Sequence, residues 1–399
     1  MPVMQAILND FSDRIRQASA AGTPLRIRGG GSKDFYGQSL LGEVLDTTSY
    51  KGVLSYEPSE LVITVRAGTP LTEVQAMLAQ KGQCLPFEPP HFTRSWGAAS
   101  LVNKGVGATV GGMVAAGLAG PARASVGSVR DFVLGARLIN GKGEHLTYGG
   151  QVMKNVAGYD VSRLLAGSLG QLGLITEVSL KVLPVAPAEA TLMCAGVSQS
   201  QALELLNRWG GQPLPLNASA WVHDTTADVA QDVLFVRLRG AVAAVDTAVE
   251  KMGADAKALG AHVTRMDNAQ AERDWQASGE HTLPFFAQAP SDDDCLWRLS
   301  LPQTASVLSQ LDAELTQAQY IEWHGAQRWL WAPAHAAQRL RAAARQAGGH
   351  VTLFKTSVAH GDADKSVGVF TPLDAVHQRI QSELKKQFDP AGIFCPQRA

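Results

Sequence analysis

Apolar residues recur at helical spacing from the start of the chain. Ile7, Leu8, Phe11 and Ile15 mark one face of MPVMQAILNDFSDRIRQ and predict an amphipathic first helix. Residues 25–28, LRIR, read as a short strand running into Gly29-Gly30-Gly31-Ser32-Lys33, a loop with few side chains to cover its own amides. The partly alternating ELVITVRA at 60–67 predicts a second strand. Thr69 as N-cap and Pro70 as first helical residue then open a helix to about Lys81, with Leu71, Val74, Met77 and Leu78 inward and Gly82 as its stop. Between Ser128 and Pro184, the strand-like DFVLGARLIN and LGLITEVSLKVLP flank a turn at 140–143 and a short helical piece at 160–166, a compact α+β pattern.

After Pro184-Val185-Ala186-Pro187 the texture changes. Alanine-rich helical stretches at about 199–210, 241–260 and 335–347 alternate with strands such as VLFVRLRG, CLWRLSLP and HVTLFKTS, which predicts a second domain with helices covering one face of a sheet. A last helix opens after Pro372 with Leu373, Val376, Ile380 and Leu384 inward, and the chain closes on F-D-P-A-G-I-F. The expected division is 1–185, 186–370 and a returning segment 371–399.

Composition narrows the function. The 399 residues carry 35 Lys+Arg against 36 Asp+Glu, so no basic excess exists to neutralise a nucleic acid. The four cysteines, Cys84, Cys194, Cys295 and Cys395, lie far apart with no C-x-x-C pair, which excludes an iron–sulfur cluster or structural zinc built by this chain alone. Asp10 and Asp13 interrupt the apolar run a signal peptide needs, so a cytoplasmic protein is expected. The uncharged GVGATVGGMVAAGLAGPA invites a transmembrane reading, but its six glycines give little apolar gain and instead mark backbone held close to something.

Three glycine-rich segments are the candidates for chemistry. The amides of Gly29, Gly30, Gly31, Ser32 and Lys33 could converge on a pyrophosphate, with Arg28 or Lys33 balancing its charge; the plain alternative is a turn. Ala108-Thr109-Val110-Gly111-Gly112, with Gly117 and Gly120 behind it, is either a glycine helix packed on a sheet or backbone laid against a flat cofactor. Glycine then recurs at 167, 170 and 173, after Gly158-Tyr159-Asp160, where neither a helix nor a plain strand suits the spacing. None of these is the G-x-G-x-x-G of a nicotinamide site.

In this order the segments resemble the FAD-binding domain of the vanillyl-alcohol oxidase or PCMH family of flavoproteins, over about residues 20–185. The likeness rests on P-L-R-I-R-G-G-G-S-K, A-T-V-G-G, S-V-R-D-F-V-L-G and G-S-L-G-Q-L-G-L-I-T. It implies an α+β fold: a PCMH-type FAD-binding domain of two subdomains plus an α/β cap domain whose antiparallel sheet is covered by helices. It implies noncovalent FAD held by Arg28, Gly29 to Lys33, Thr109 to Gly112, Gly117 and Ile175. Within the family the chain is similar to the FAD-binding E subunits of bacterial glycolate oxidases, through K-N-V-A-G-Y-D, R-L-L-A-G-S-L-G, W-H-G-A-Q-R-W-L and F-D-P-A-G-I-F. The family follows this last motif with Asn-Pro-Gly where this chain has Cys395-Pro396-Gln397. That resemblance implies a sister flavin subunit, an iron–sulfur subunit delivering electrons to quinone, and membrane contact only through the complex.

No catalytic residue or metal site is expected in this chain. Oxidising a 2-hydroxy acid needs a base and cations for the carboxylate. Arg237, Arg239, Arg298 and Arg328 could hold a carboxylate, but His360-Gly361-Asp362 only partly matches the base-bearing H-x-G-D-G-N segment of related dehydrogenases. Trp323, Trp329 and Trp331 read as core, or as a partner surface. A self-sufficient oxidoreductase and an assembly subunit with an empty flavin site are the alternatives.

Overall fold

The computed structural model describes residues 2–92, 107–150, 160–226 and 229–394. The chain forms two compact units: Met1–Leu118 with Gly127–Pro184 and Pro372–Ala399, and Ala119–Val126 with Val185–Thr371.

In the first unit β1 (Leu25–Arg28) and β2 (Glu43–Asp46) pair in parallel. β3 (Val53–Glu57), β4 (Val62–Arg66), β6 (Val133–Ile139), β7 (His145–Gly149) and β8 (Leu174–Lys181) form an antiparallel sheet in the order β3-β4-β8-β6-β7, and β5 (Gln83–Cys84) pairs with β9 (Leu183–Pro184). Central β8 is buried at every position but its last, which suppresses the in/out alternation of an ordinary strand. Its polar side chains are therefore satisfied internally: Ser179 meets Thr64 at 2.9 Å, and Glu177 accepts from the Tyr50 hydroxyl at 2.8 Å. Burial and the Glu177 carboxylate push the Tyr50 phenol up to about 12.

The first helix, Pro2–Ala21, buries Phe11, Ile15 and Ala18 against Leu25, Leu45, Ile139 and Leu174, as its periodicity predicts. The F-D-P-A-G-I-F motif is a closing turn. The Asp389 carboxylate accepts the amides of Ile393 and Phe394 at 3.0 and 2.8 Å, and Phe394 bridges in parallel to Leu25.

Two expectations need correction, and a third reading meets its outcome. The C-terminal helix forms at Ala375–Phe388, but Phe388 alone is buried; Val376 and Ile380 are 66% and 53% exposed and Leu373 is exposed too. The helix is fastened by its C-terminal end, where Gly141 N donates to Phe388 O, and periodicity marks which face is apolar without showing what covers it. Thr69 does not cap the helix Leu71–Ala79: its hydroxyl donates to Arg66 O at 2.6 Å and accepts from Gly52 N at 2.9 Å. The uncharged glycine run yields only the helix Val110–Ala116, and among the described residues no helix is long and apolar enough to cross a membrane.

The second unit is built on one antiparallel sheet of β10 (Ala188–Ala195), β11 (Leu216–Asp224), β12 (Gln231–Gly240), β13 (His262–Arg265), β14 (Asp294–Ser300), β15 (Gln319–Glu322), β16 (Gln327–Pro333) and β17 (His350–Lys355), ordered β13-β10-β12-β11-β15-β16-β14-β17. Helices Gln199–Gly210 and Val242–Lys257 bury Leu203, Leu206, Trp209 and Met252 on the Leu192, Trp221, Leu234 and Val236 side. On the same face the helix Ala337–Gln346 buries Leu340 and Ala344 on Trp297, Leu299 and Leu330. The opposite face carries Phe235, Arg237, Tyr320, Glu322 and Trp329, partly roofed by the helix Asn268–Gly279, whose Trp275 Nε1 donates to Thr191 Oγ1.

The W-H-G-A-Q-R-W-L motif ties Ala119–Val126 into this unit. Trp323 Nε1 donates to Gly120 O at 3.0 Å, the Arg123 guanidinium lies 4.5 Å above the Trp323 ring, and His324 bonds Ser125 at 2.9 Å and Ser219 at 3.0 Å. The tryptophans serve packing: Trp323 and Trp329 are buried, and Trp331 Nε1 donates to Phe285 O.

Candidate functional site

An open cleft in the first unit is walled largely by backbone and small residues. β1 delivers Arg28, Gly29, Gly30, Gly31, Ser32 and Lys33 to one side. The helix Val110–Ala116 presents Gly111, Gly112, Ala115 and Ala116 with its cap Thr109, and the loop before β8 supplies Leu169, Gly170, Gly173, Leu174 and Ile175. Of the residues that the resemblance assigned to FAD, all line this cleft except Val110 and Gly117. Val110 is fully buried as the first helical residue. Gly117 ends the helix at φ 64°, and a side chain there would meet the Gly167 backbone at 2.9 Å, so its glycine serves packing.

The two loops press on each other. A Cβ on Gly29 would lie 2.3 Å from Thr109 Oγ1, and one on Gly30 would lie 1.6 Å from Gly107 O, so neither position admits a side chain. At Gly112 an added Cβ meets only Thr109 Oγ1, at 3.1 Å. That face of the helix is open to the cleft.

Hydrogen bonding separates the amides into two classes. Val110 N donates to Thr69 O, Gly111 N to Ala67 O and Gly112 N to Thr109 Oγ1, so the start of this helix has its donors occupied. Among the described residues, the amides of Gly29, Gly30, Gly31 and Ser32 donate to no protein acceptor. Beside them Arg28 Nε pairs with Asp34 at 2.7 Å, the two side chains 10% and 24% exposed, and buried Lys33 places its ammonium 5.6 Å above the Phe92 ring.

The glycine triplet acts as a clasp. Gly167 N donates to Val114 O and Leu169 N to Ala115 O, holding the loop against the end of the Val110–Ala116 helix, while Gly170 and Gly173 sit on the cleft wall at positive φ. Sequence reasoning did not assign Ala115, Ala116 and Asp34 to the site, and it marked Gly170 and Gly173 as irregular backbone without giving them a contact. Ala115 and Ala116 lie one turn beyond Gly111 and Gly112, so helical periodicity carried the signal. Gly158 and Tyr159, and the Cys395-Pro396-Gln397 departure, lie outside the described residues.

The residues considered for catalysis do not gather at this cleft. His360 is an exposed residue paired with Asp293 at 3.0 Å, and the Asp364 carboxylate near it is consumed by Ser357 and Cys295. Arg328 spends its guanidinium on the carbonyls of Gly325, Ala305 and Ser306, and burial lowers its pKa to about 10. Arg239 pairs with Glu189; Arg237 donates to Asn217 at 2.8 Å under Trp275, and Arg298 stacks on Phe354. Buried His281 stacks on Phe286 at 4.1 Å and is held neutral by burial and by the charges of Lys355 and Arg298, enclosed in an aromatic core. Among the described residues no group of His, Cys, Asp and Glu could hold a metal ion.

The family model for an FAD binding domain matches residues 7–149, which contain the first two walls of the cleft. Glycolate oxidase subunit GlcE of Escherichia coli (strain K12) is 42% identical over 386 residues, covering 97% of this chain and 95% of the relative. This chain belongs to the GlcE family. Glycolate oxidase subunit GlcD of Bacillus subtilis (strain 168) is 29% identical to this chain over 141 residues, 35% of this chain and 27% of that one. A solved alkyldihydroxyacetonephosphate synthase shares the fold with a TM-score of 0.67 at 13% identity, over 98% of this chain and 74% of the other. The expected fold class and the FAD cofactor are those of this GlcE-family chain.

Proposed function

We propose that this chain is the FAD-holding subunit of a multi-subunit glycolate oxidase, acting with a sister flavin subunit and an iron–sulfur subunit. The observation that carries the cofactor part is the set of four amides, Gly29 to Ser32, that have no protein acceptor among the described residues and belong to a loop lining the cleft. Such a set fits a pyrophosphate, whose oxygens accept only. Arg28 and Lys33 supply positive charge beside it, the former shared with Asp34. Thr109, Gly111, Gly112 and the backbone at Ile175 give the narrow wall against which a planar ring system lies. FAD held by these residues would supply a hydride acceptor for a CH–OH donor. The chain itself binds, orients and shields.

Attachment is noncovalent in this reading, because no histidine or cysteine is among the described residues lining the cleft. Membrane contact comes through the complex. Among alternatives, similarity to a glycolate oxidase subunit over nearly the whole chain favours the subunit reading over a self-sufficient oxidase.

The test is the absorption spectrum of the purified chain titrated with FAD, with acid releasing the chromophore to the supernatant. Gly112→Leu places its side chain in the cleft at a helical position, where loss of glycine gains about 1 kcal/mol of helix propensity. FAD affinity should fall at least tenfold with the fold intact. Unchanged affinity in this variant would remove the cleft as the flavin site.

A further inference from the structure

The loop of Gly29 to Lys33 has its two ends joined through side chains. Arg28, the last residue of β1, pairs its Nε with the Asp34 carboxylate at 2.7 Å, across the whole loop. Between them the chain turns at Gly31, at φ 76°, and Asp34 N donates to Gly31 O at 3.1 Å. The Arg28 guanidinium packs against this turn, since a Cβ built on Gly31 would come 2.7 Å from Arg28 Cζ. The Arg28 carbonyl accepts from Thr47 N at 3.0 Å, which ties the start of the loop to the residue after β2. Both members of the ion pair line the cleft, and both are largely buried.

Two roles for Arg28 give Asp34 opposite effects. Were the guanidinium itself the contact for a pyrophosphate, a carboxylate beside it in the same cleft would oppose the ligand's charge. As a brace, the same carboxylate assists binding by holding the loop. The packing favours the brace: the guanidinium lies on the loop's own backbone, and its charge is matched by Asp34. Composition favours it too. Three successive glycines have more conformational freedom to lose than any other tripeptide, and a clasp that removes that freedom beforehand lowers the cost of ordering them around a ligand. The donors so held, the amides of Gly29 to Ser32, are uncharged.

We infer, on the reading that this cleft holds FAD, that Asp34 is a positioning residue: through Arg28 it braces the glycine loop so that its amides meet the pyrophosphate already aligned. The test is isothermal titration of FAD into the full chain stripped of flavin, for wild type, Arg28→Met, Asp34→Ala and the double variant. Each single substitution should weaken FAD about tenfold, the scale of one charge-assisted hydrogen bond, and the double should be no weaker than either single. At saturating FAD the visible absorption and circular dichroism of the bound flavin should match wild type, because the ring rests on other walls. Tighter FAD in Asp34→Ala is the result expected of a carboxylate that only opposes the ligand, and it would overturn the brace. Additive losses approaching a hundredfold in the double, an altered flavin spectrum, or unchanged affinity in either single would do the same. Gly112→Leu, titrated alongside, keeps the two readings apart. If it lowers affinity while the Arg28 and Asp34 variants do not, the brace falls and the flavin site stands; if no variant changes affinity, the cleft is not the flavin site and both fall.

Discussion

At Gly30 the obstacle to a side chain is protein, because a Cβ there would lie 1.6 Å from the carbonyl oxygen of Gly107. Even alanine forces the two loops apart. Gly30→Ala should therefore cost about 3 kcal/mol of stability, the scale of overpacking a tight site, read as a lowered urea midpoint. Loss of flavin in that variant reports a displaced loop, whereas loss at Gly112 reports a blocked cleft. The distinction also shows what was legible at this scale. Consecutive glycines announce close approach, and most of the cleft could be named from them. What approaches stayed hidden: at Gly117 and Gly30 it is the protein's own backbone, and at Gly112 it is open space. Val110 was named from its neighbours in the motif, although its side chain points into the core.

Among the elements, the short Trp323–Gly325 turn carries the largest mismatch between sequence signal and structural role. Trp323 and His324 both adopt positive φ, and His324 is buried with each ring nitrogen bonded to a serine hydroxyl. Nothing in the local pattern shows that one of these serines, Ser125, comes from a segment some two hundred residues earlier, so the motif was recognisable only by resemblance. Burial lowers the His324 pKa from 6.5 to about 4. The imidazole is thus neutral when folded, while the unfolded chain takes up a proton below pH 6.5. The stability contributed is fully present above pH 6.5 and is lost as pH falls to about 4, amounting to roughly 3 kcal/mol. His281 shifts in the same direction, but its effect is common to wild type and variant. In His324→Asn, chosen because asparagine tolerates positive φ, chemical denaturation at pH 7 and pH 4.5 should show a shallower pH dependence than in wild type. Equal slopes would mean that His324 takes up its proton in the folded protein as easily as in the unfolded chain.

For the molecule as a whole, the telling surface is the helix Ala375–Phe388, whose apolar stripe of Val376, Ile380 and Leu384, with Leu373 before it, was expected to face inward. The stripe is real and mostly exposed, so its periodicity was legible and its destination was not. A chain reads as amphipathic whether the apolar face meets its own core or another chain, and single-sequence patterning cannot distinguish the two. In a chain similar to one subunit of a glycolate oxidase, we propose that the sister flavin subunit covers this stripe. Ile380→Asp adds a charge at a position 53% exposed, so it should change the stability of the isolated chain by less than about 0.5 kcal/mol and leave its FAD content as in wild type. In the assembled state the same aspartate would be buried without a partner, a cost of several kcal/mol. Co-expression with the sister subunits, pull-down through this chain and dye-linked glycolate oxidation should then show a stable, flavin-loaded chain that no longer brings down its partners or supports turnover. A complex that assembles and turns over normally with Asp at 380 would place the interface on another face.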